Sequence, residues 1–453
     1  MPNYWINVLR IVFLVSGVTR AIVINIPQDF NTIQDGIDSS SNGDTILIAP
    51  GAYHENINFQ GKDIIVGSLF ILEQDSSYIS QTEITGDTAS SIVVFENGED
   101  STSKLIGLTI RDGFGTLLDP DIDGTFDDYG GGILCINSSP SLTNLNITGN
   151  YINSGGGAAI YLSNSSSLIN HVKIYNNTSD NFGGGIYCDN YSSLKILNSE
   201  IYSNSASWGG QAVYCHDSSN VIIRDSKMHS NLGANLGVVY IKDSPNSILT
   251  DVEIADNLHT TGLYLGYSKL FINRVIIHDN IGAGMRVWHT ELYGVNCEFH
   301  NNTFHGIIVS GNAFADLYNV EIYSNSTNGF GGGIYITSSF MLNTILRLTN
   351  SLLHGNTSSI GVGSNIHSYG GELILINTTL ANSFIDSTSY GSSILLDNEG
   401  SLMIVNSILY SLDYVEIDNN GSHGLSDIVI GNTNIHGYLD GIERWTPLTG
   451  HFF

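Results

Sequence analysis

Positive charge is scarce in this sequence: 15 Lys and Arg stand against 43 Asp and Glu in 453 residues, a formal net charge of −28. A chain this acidic lacks the basic stripe that phosphate backbones require, so no nucleic-acid partner is expected. Charged residues of either sign make up only 13% of the chain, about half the ~25% usual in globular domains. Cysteine is rare as well. Cys135, Cys188, Cys215 and Cys297 are too few for a disulfide scaffold and lack metal-ligand spacing. Beyond Ala21 no apolar run approaches the ~20 residues that cross a bilayer, so no transmembrane segment is expected. No helical period of apolar residues survives in the main body. What is there is 42% hydrophobic residues, 50 glycines and abundant Asn and Ser, enough apolar surface to bury a core.

At the amino end, Ile11–Val18 (IVFLVSGV) follows Arg10 and precedes Thr19-Arg20-Ala21. A charged start, a short apolar stretch and a small residue at a cleavage point assign residues 1–21 as a secretory signal peptide. The alternative is a buried first strand running on into Ile22–Ile26. The signal reading implies a secreted or cell-surface protein. The chain stops at Gly450-His451-Phe452-Phe453 with no recognisable sorting domain, as a truncated C-terminus would.

One seven-residue phrase recurs. It reads NLNITGN at 144–150, HVKIYNN at 171–177, NSEIYSN at 198–204 and DSKMHSN at 225–231. DVEIADN (251–257), RVIIHDN (274–280), NCEFHNN (296–302), NVEIYSN (319–325) and NSLLHGN (350–356) follow, with looser copies at 107–113, 377–383 and 406–412. The twelve copies step by 22 to 37 residues. A Gly-rich phrase rides behind several of them, as GGGIL at 130–134, GGGAAIY at 155–161 and GGGIY at 183–187 and 331–335. Apolar residues alternate at period two over three to five positions, with Gly and Asn supplying positive φ at the corners. A unit of this length with three short strands is one turn of a parallel β-solenoid. Twelve turns stacked ~4.8 Å apart make a rod of roughly 55 Å.

Strand phase then assigns faces. In Gly-Ile-Tyr-Cys, Ile186 and Cys188 point inward and Tyr187 outward, and the same phase turns Cys135, Cys215 and Cys297 inward. Cys188 and Cys215 should stack, either as reduced thiols or as a disulfide. Phe30, Ile33 and Ile37 share one helical face, so a short amphipathic helix is expected to plug the open end. Residues 22–100 thus read as a cap and first turns, 101–412 as the repeats, and 413–453 as a last turn or C-terminal cap.

These phrases resemble the right-handed parallel β-helix superfamily that includes pectin lyase-like proteins. The opening FNTIQDGIDSSSNGDTILIAPGAYHENINFQGKDIIVGS (30–68) is similar to the start of pectin methylesterases. The GGGIY and FHNN phrases resemble repeats of polymorphic outer-membrane adhesins. The resemblance implies an all-β, single-stranded right-handed parallel β-helix. It does not transfer a reaction. The G-N-V-D-F-I-F-G strand of the methylesterases and the R-x-P-x-x-R strand of pectate lyases have no counterpart. Of the polygalacturonase motifs N-T-D, D-D, G-H-G and R-I-K, only Asp127-Asp128 finds a match, in a different setting.

Four constellations remain as candidates. Asp119-Pro-Asp121-Ile-Asp123-Gly124, followed by Asp127 and Asp128, resembles a calcium loop, in which alternating carboxylates converge on a hard cation; the plain alternative is a solvated acidic loop. Outward Tyr161, Tyr187, Tyr214, Tyr240 and Tyr264 occupy one position of successive turns, with Trp288 nearby. They form either a strip for sugar rings or a structural ladder. The turns from 257 to 308 are short, which predicts a depression near Tyr264, Arg286, Trp288, His289 and His305. On an adjacent outward row lie His229, His278, His300 and His354, and beside them Glu298 and Glu321, a stacked like-charge pair. Arg286, His278, His300, Glu298 and Glu321 are therefore the weak candidates for acid–base chemistry. The reading as a whole is a monomeric, exported rod that binds or adheres to polysaccharide or a cell-surface glycan without catalysis. The competing reading is a polysaccharide lyase, hydrolase or esterase with a non-standard site.

Overall fold

The computed structural model describes residues 20–86, 90–119, 124–233, 236–338, 343–359, 363–381, 384–385, 392–420, 427–440 and 445–448. Residues 1–19 of the expected signal peptide lie outside this set. The chain winds into a parallel β-solenoid of about 13 turns, and strand accounts for about 52% of it against 4% helix.

Three long sheets run the length of the coil. The first begins with Val23–Ile26 and Thr45–Ile48 and continues through Ser193–Leu197, Glu291–Val295 and Ser401–Val405. The second carries the seven-residue phrase, in Asn146–Thr148, Glu200–Tyr202, Glu298–His300 and their equivalents. The third carries the Gly-rich phrase, in Ile133–Ile136, Ile160–Ser163, Ile186–Asp189 and Ile307–Ser310. Neighbouring turns pair in parallel and in the expected register: Tyr161 lies on Tyr187, Cys188 on Cys215, and Glu298 on Glu321. The four cysteines are free and buried, and burial pushes the Cys297 thiol up to about 11.

The phrase has a structural reason at each place. Its first and sixth residues turn the corners in left-handed conformation, as Asn198 (φ 48°) and Ser203 (φ 53°) show. The final Asn is not a turn residue. From Asn150 to Asn356 nine asparagines stack inside the coil, almost wholly buried. Asn177 donates through Nδ2 to Asn204 Oδ1 at 2.9 Å and to the Ile147 carbonyl at 3.0 Å. Its own Oδ1 accepts from Asn150 Nδ2 at 2.9 Å. Each rung thereby satisfies a corner amide of the neighbouring turn, as Asn177 Oδ1 does for the Asn150 N–H at 3.1 Å, and adds a bond to a carbonyl of the adjoining strand.

Between these corners Ile, Leu and Val fill a continuous interior from Ile24 to Ile430. The helix Ile33–Ser39 closes the first turn, with Thr32 Oγ1 accepting from the Asp35 amide. Ile33 and Ile37 are fully buried, and Phe30, just before the helix, packs on the same core. The strands Ile408–Asn420, Ile428–Gly431, Asn434–Asp440 and Trp445–Leu448 carry the coil to its far end.

Candidate functional sites on the rod

On the outward face of the second sheet, one column of side chains forms a ring stack. Tyr175, Tyr202 and His229 lie 5.0 and 5.1 Å apart, within 6° of parallel. After Ala255 the stack resumes with His278, His300, Tyr323 and His354 at 4.8, 4.5 and 5.1 Å. The adjoining column is acidic. Glu200 meets His229 Nε2 at 3.0 Å, Glu253 meets His278 Nε2 at 3.2 Å, and Glu321 meets His354 Nε2 at 3.0 Å. Four sequence candidates, His278, His300, Glu298 and Glu321, therefore come together. Burial holds His300 below the usual imidazole value, and the neighbouring His278 adds to this against the pull of nearby carboxylates. Burial alone would raise Glu253, but hydrogen bonds and charge from Lys227 and His278 outweigh it and hold the carboxyl low.

Where the first and second sheets meet, the first residues of five successive phrases line an open groove of about 740 Å³. Lys227 reaches Glu253 at 2.7 Å, and Arg274 forms a two-pronged pair with Asp251 at 2.6 and 2.7 Å. These pairs are exposed, so they align neighbouring turns more than they stabilise them.

A third region was not singled out by sequence. On the outward face of the first sheet, Phe271, Tyr293, Asp316, Tyr318, Arg347 and Met403 line a groove of about 720 Å³ with Ile374 and Ile376. Phe271 and Tyr318 are 41% and 47% exposed, high for large rings on a strand. Arg347 Nη1 pairs with Asp316 at 3.2 Å in the same groove, while its guanidinium lies 5.9 Å from the Phe314 ring. Gly294 occupies an inward position where a Cβ would stand 2.5 Å from Leu317 Cδ2, so a larger residue there would push the Leu317 and Ile272 side chains aside. The signal available was the outward aromatic in KLFIN and ELYGV, Phe271 over Tyr293, with Tyr318 of FADLY two residues further along the next turn beside Val295; it lies outside the seven-residue phrase.

The tyrosine column on the third sheet stacks as expected but does not face water. Tyr161, Tyr187, Tyr214, Tyr240 and Tyr264 are 0–9% exposed, packed in a second cluster beneath Phe182, Leu236, Leu118 and Ile136. The Gly-rich corner causes this. It folds back over the rings so closely that a Cβ on Gly156 would stand 2.5 Å from Tyr187 Cδ2. The hydroxyls are spent internally, Tyr161 on Asp189 at 3.0 Å and Tyr187 on His216 at 2.8 Å. The expectation of an exposed sugar strip is corrected on this point. Trp288 packs edge-on against Tyr267 and His289.

Arg286 is separate from the histidine column. It lies on the third sheet with its guanidinium 5.4 Å from the Tyr264 ring. His305 is buried, its Nδ1 2.7 Å from the Gly331 carbonyl, so its ring does not line an open face of the short turns. In the acidic loop, Asp121 and Asp123 lie outside the described residues. Asp127 and Asp128 pair antiparallel with Leu118 and Leu117 in a small hairpin, and Asp119 Oδ2 accepts from the Gly124 amide at 3.0 Å. Burial, then the neighbouring Asp127, raises Asp128.

A coil of stacked parallel turns with an inner Asn ladder defines a β-helix protein. The family profile described as "Right handed beta helix region" matches residues 46–236 and 131–304, more than half the sequence, and the chain belongs to that family. No curated protein resembles the chain closely enough to count as a match. Among solved structures it is similar to the A-module of the mannuronan C-5 epimerase AlgE4 of Azotobacter vinelandii. Identity there is 13%, with 93% of this chain and 94% of that one covered at a TM-score of 0.39. The catalytic domain of a GH87 α-1,3-glucanase in complex with tetrasaccharides shows 12% identity over 92% and 69% of the two chains at 0.41. The receptor binding domain of the Siphovirus 9NA tailspike shows 10% over 95% and 76% at 0.32. None of these likenesses says what this chain binds or does.

Proposed function

We propose that the protein is an exported glycan-binding β-helix and that the aromatic groove of the first sheet holds the sugar. The observation that carries this is the set of rings placed on the water side of three successive turns, Phe271, Tyr293 and Tyr318, around one ion pair. The fold does not need them there, since the core is filled from the opposite face. Sugar rings present C–H faces that pack on aromatic faces, and a charged pair between them orients hydroxyls. With a net charge of −28 and the groove's two charges already paired, a neutral polysaccharide fits better than a polyanion. Among the described residues no helix is long and apolar enough to cross a membrane.

The test is binding of the full chain to an array of neutral and acidic polysaccharides. The double variant Phe271→Ala/Tyr318→Ala should bind about tenfold more weakly or worse, the loss expected from two stacking contacts. Tyr187→Phe, which alters a ring under the third-sheet loops, should bind as the parent does. Unchanged affinity in the double variant, or binding confined to acidic glycans, would remove the proposal.

A further inference from the structure

We infer that His278, Asp279 and His300 form a site for one divalent transition-metal ion of the zinc type, independent of the glycan reading. The ligand atoms of these three residues all lie within 4.8 Å of one another. Among the described residues no other group of three such donors converges.

The backbone explains why they meet. His278 and His300 hold the same outward position in consecutive turns of the second sheet, so their rings stack 4.8 Å apart and 9° from parallel. Asp279 follows His278 in left-handed conformation, φ 52°, and this corner turns its carboxylate back to His278 Nδ1 at 2.6 Å. The remaining nitrogen of His278 is held by Glu253 at 3.2 Å. That is the arrangement by which a carboxylate fixes the tautomer and orientation of a ligating imidazole.

His300 supplies the second observation. Its Nδ1 is closed off from water and has no hydrogen-bond partner, although a buried ring nitrogen ordinarily finds one. His229 and His354 are held through Nε2 by a glutamate as His278 is, but among the described residues neither belongs to a converging set of three donors. Two imidazoles and one carboxylate are the donor set of zinc and of other borderline divalent ions, whereas calcium and magnesium take oxygen alone. Bonds of about 2.0–2.1 Å require donors roughly 3.3 Å apart, so the two rings must tilt toward each other, a side-chain movement only. Three protein donors leave a coordination position for water or for a ligand oxygen.

The experiment is titration of the untagged full chain with Zn2+ by calorimetry, and with Co2+ followed by its visible absorption. One ion per chain is expected, with the absorption of a nitrogen- and oxygen-ligated cobalt. His300→Ala and, as a milder second variant, Asp279→Asn should each weaken binding about 100-fold or more. His354→Ala, in the same column but outside the set, should leave it unchanged. Absence of saturable binding in the parent chain overturns the site, as does binding that survives both first-named variants or falls equally in His354→Ala.

Discussion

The interior asparagines are the residues on which the winding most depends. Asn204 accepts at Oδ1 from the Asn177 amide and from Asn177 Nδ2, at 3.1 and 2.9 Å. It donates through Nδ2 to the Ile174 carbonyl at 2.9 Å. Replacing it with alanine removes every one of these bonds while the partners stay buried. An unsatisfied buried group costs about 1–3 kcal/mol, so Asn204→Ala should lower stability by roughly 3 kcal/mol or more. A denaturant midpoint indistinguishable from the parent's would show that the ladder contributes nothing. Asn198, which turns a left-handed corner at φ 48° with its side chain on Asn170 at the surface, should tolerate Asn198→Gly with far less loss. The two asparagines sit in the same phrase, but the corner position is His, Asp or Arg in other copies whereas the buried last position is Asn in all nine full copies.

At the scale of the strand, alternation at period two told inside from outside correctly, and Ile186, Cys188 and their equivalents are buried as that phase required. It could not tell whether an outward side chain meets water or another layer of the same chain. That is why the tyrosine column was legible as a stack and illegible as a covered one, since the covering loops are glycine, whose pattern gives a corner but not its direction. The histidine and glutamate columns were legible because register follows directly from the repeat. The aromatic groove was not, because its rings come from the less regular strands of the first sheet.

A consequence of the covered layer concerns pH. His367, on the strand Ile366–Tyr369, is 3% exposed, and both its ring nitrogens are buried without partners. Its ring packs among Phe330, Tyr335 and Tyr369. Burial, and then the nearby His305, push it down to about 4. An unfolded histidine takes its proton near 6.5, so protonation favours the unfolded chain. The stabilisation from a neutral His367 is complete above about pH 6.5 and is lost progressively as the pH falls to about 4, on the order of 3 kcal/mol in all. His367→Phe should flatten the stability profile in that window, as read by denaturant midpoints at several pH values. A profile as steep as the parent's would place the acid sensitivity elsewhere, His305 being the next group to test.

For the whole molecule, a coil in which each turn touches only its neighbours should behave as a stack of interchangeable units. Residues 178–204 are one period, from the residue after one ladder Asn through the next. Deleting them removes one strand from each long sheet and brings Asn177 against Asn231, Tyr161 against Tyr214, and Leu162 against Cys215. Each new pair matches the old in position and character. The one unfavourable meeting is Lys173 with Lys227, whose side chains are 58% and 40% exposed, where a like-charge contact costs little. The shortened chain should therefore fold with the same strand content per residue and a single unfolding transition, somewhat less stable than the parent. Deleting only 178–190 removes about half a turn and sets inward residues of one sheet over the corners of the next, so that chain should fail to fold cooperatively. Circular dichroism and denaturant unfolding of the two deletions decide the matter. If the full-period deletion collapses as completely as the half-period one, the turns are not equivalent units, and the stability of the rod resides in particular turns rather than in their repetition.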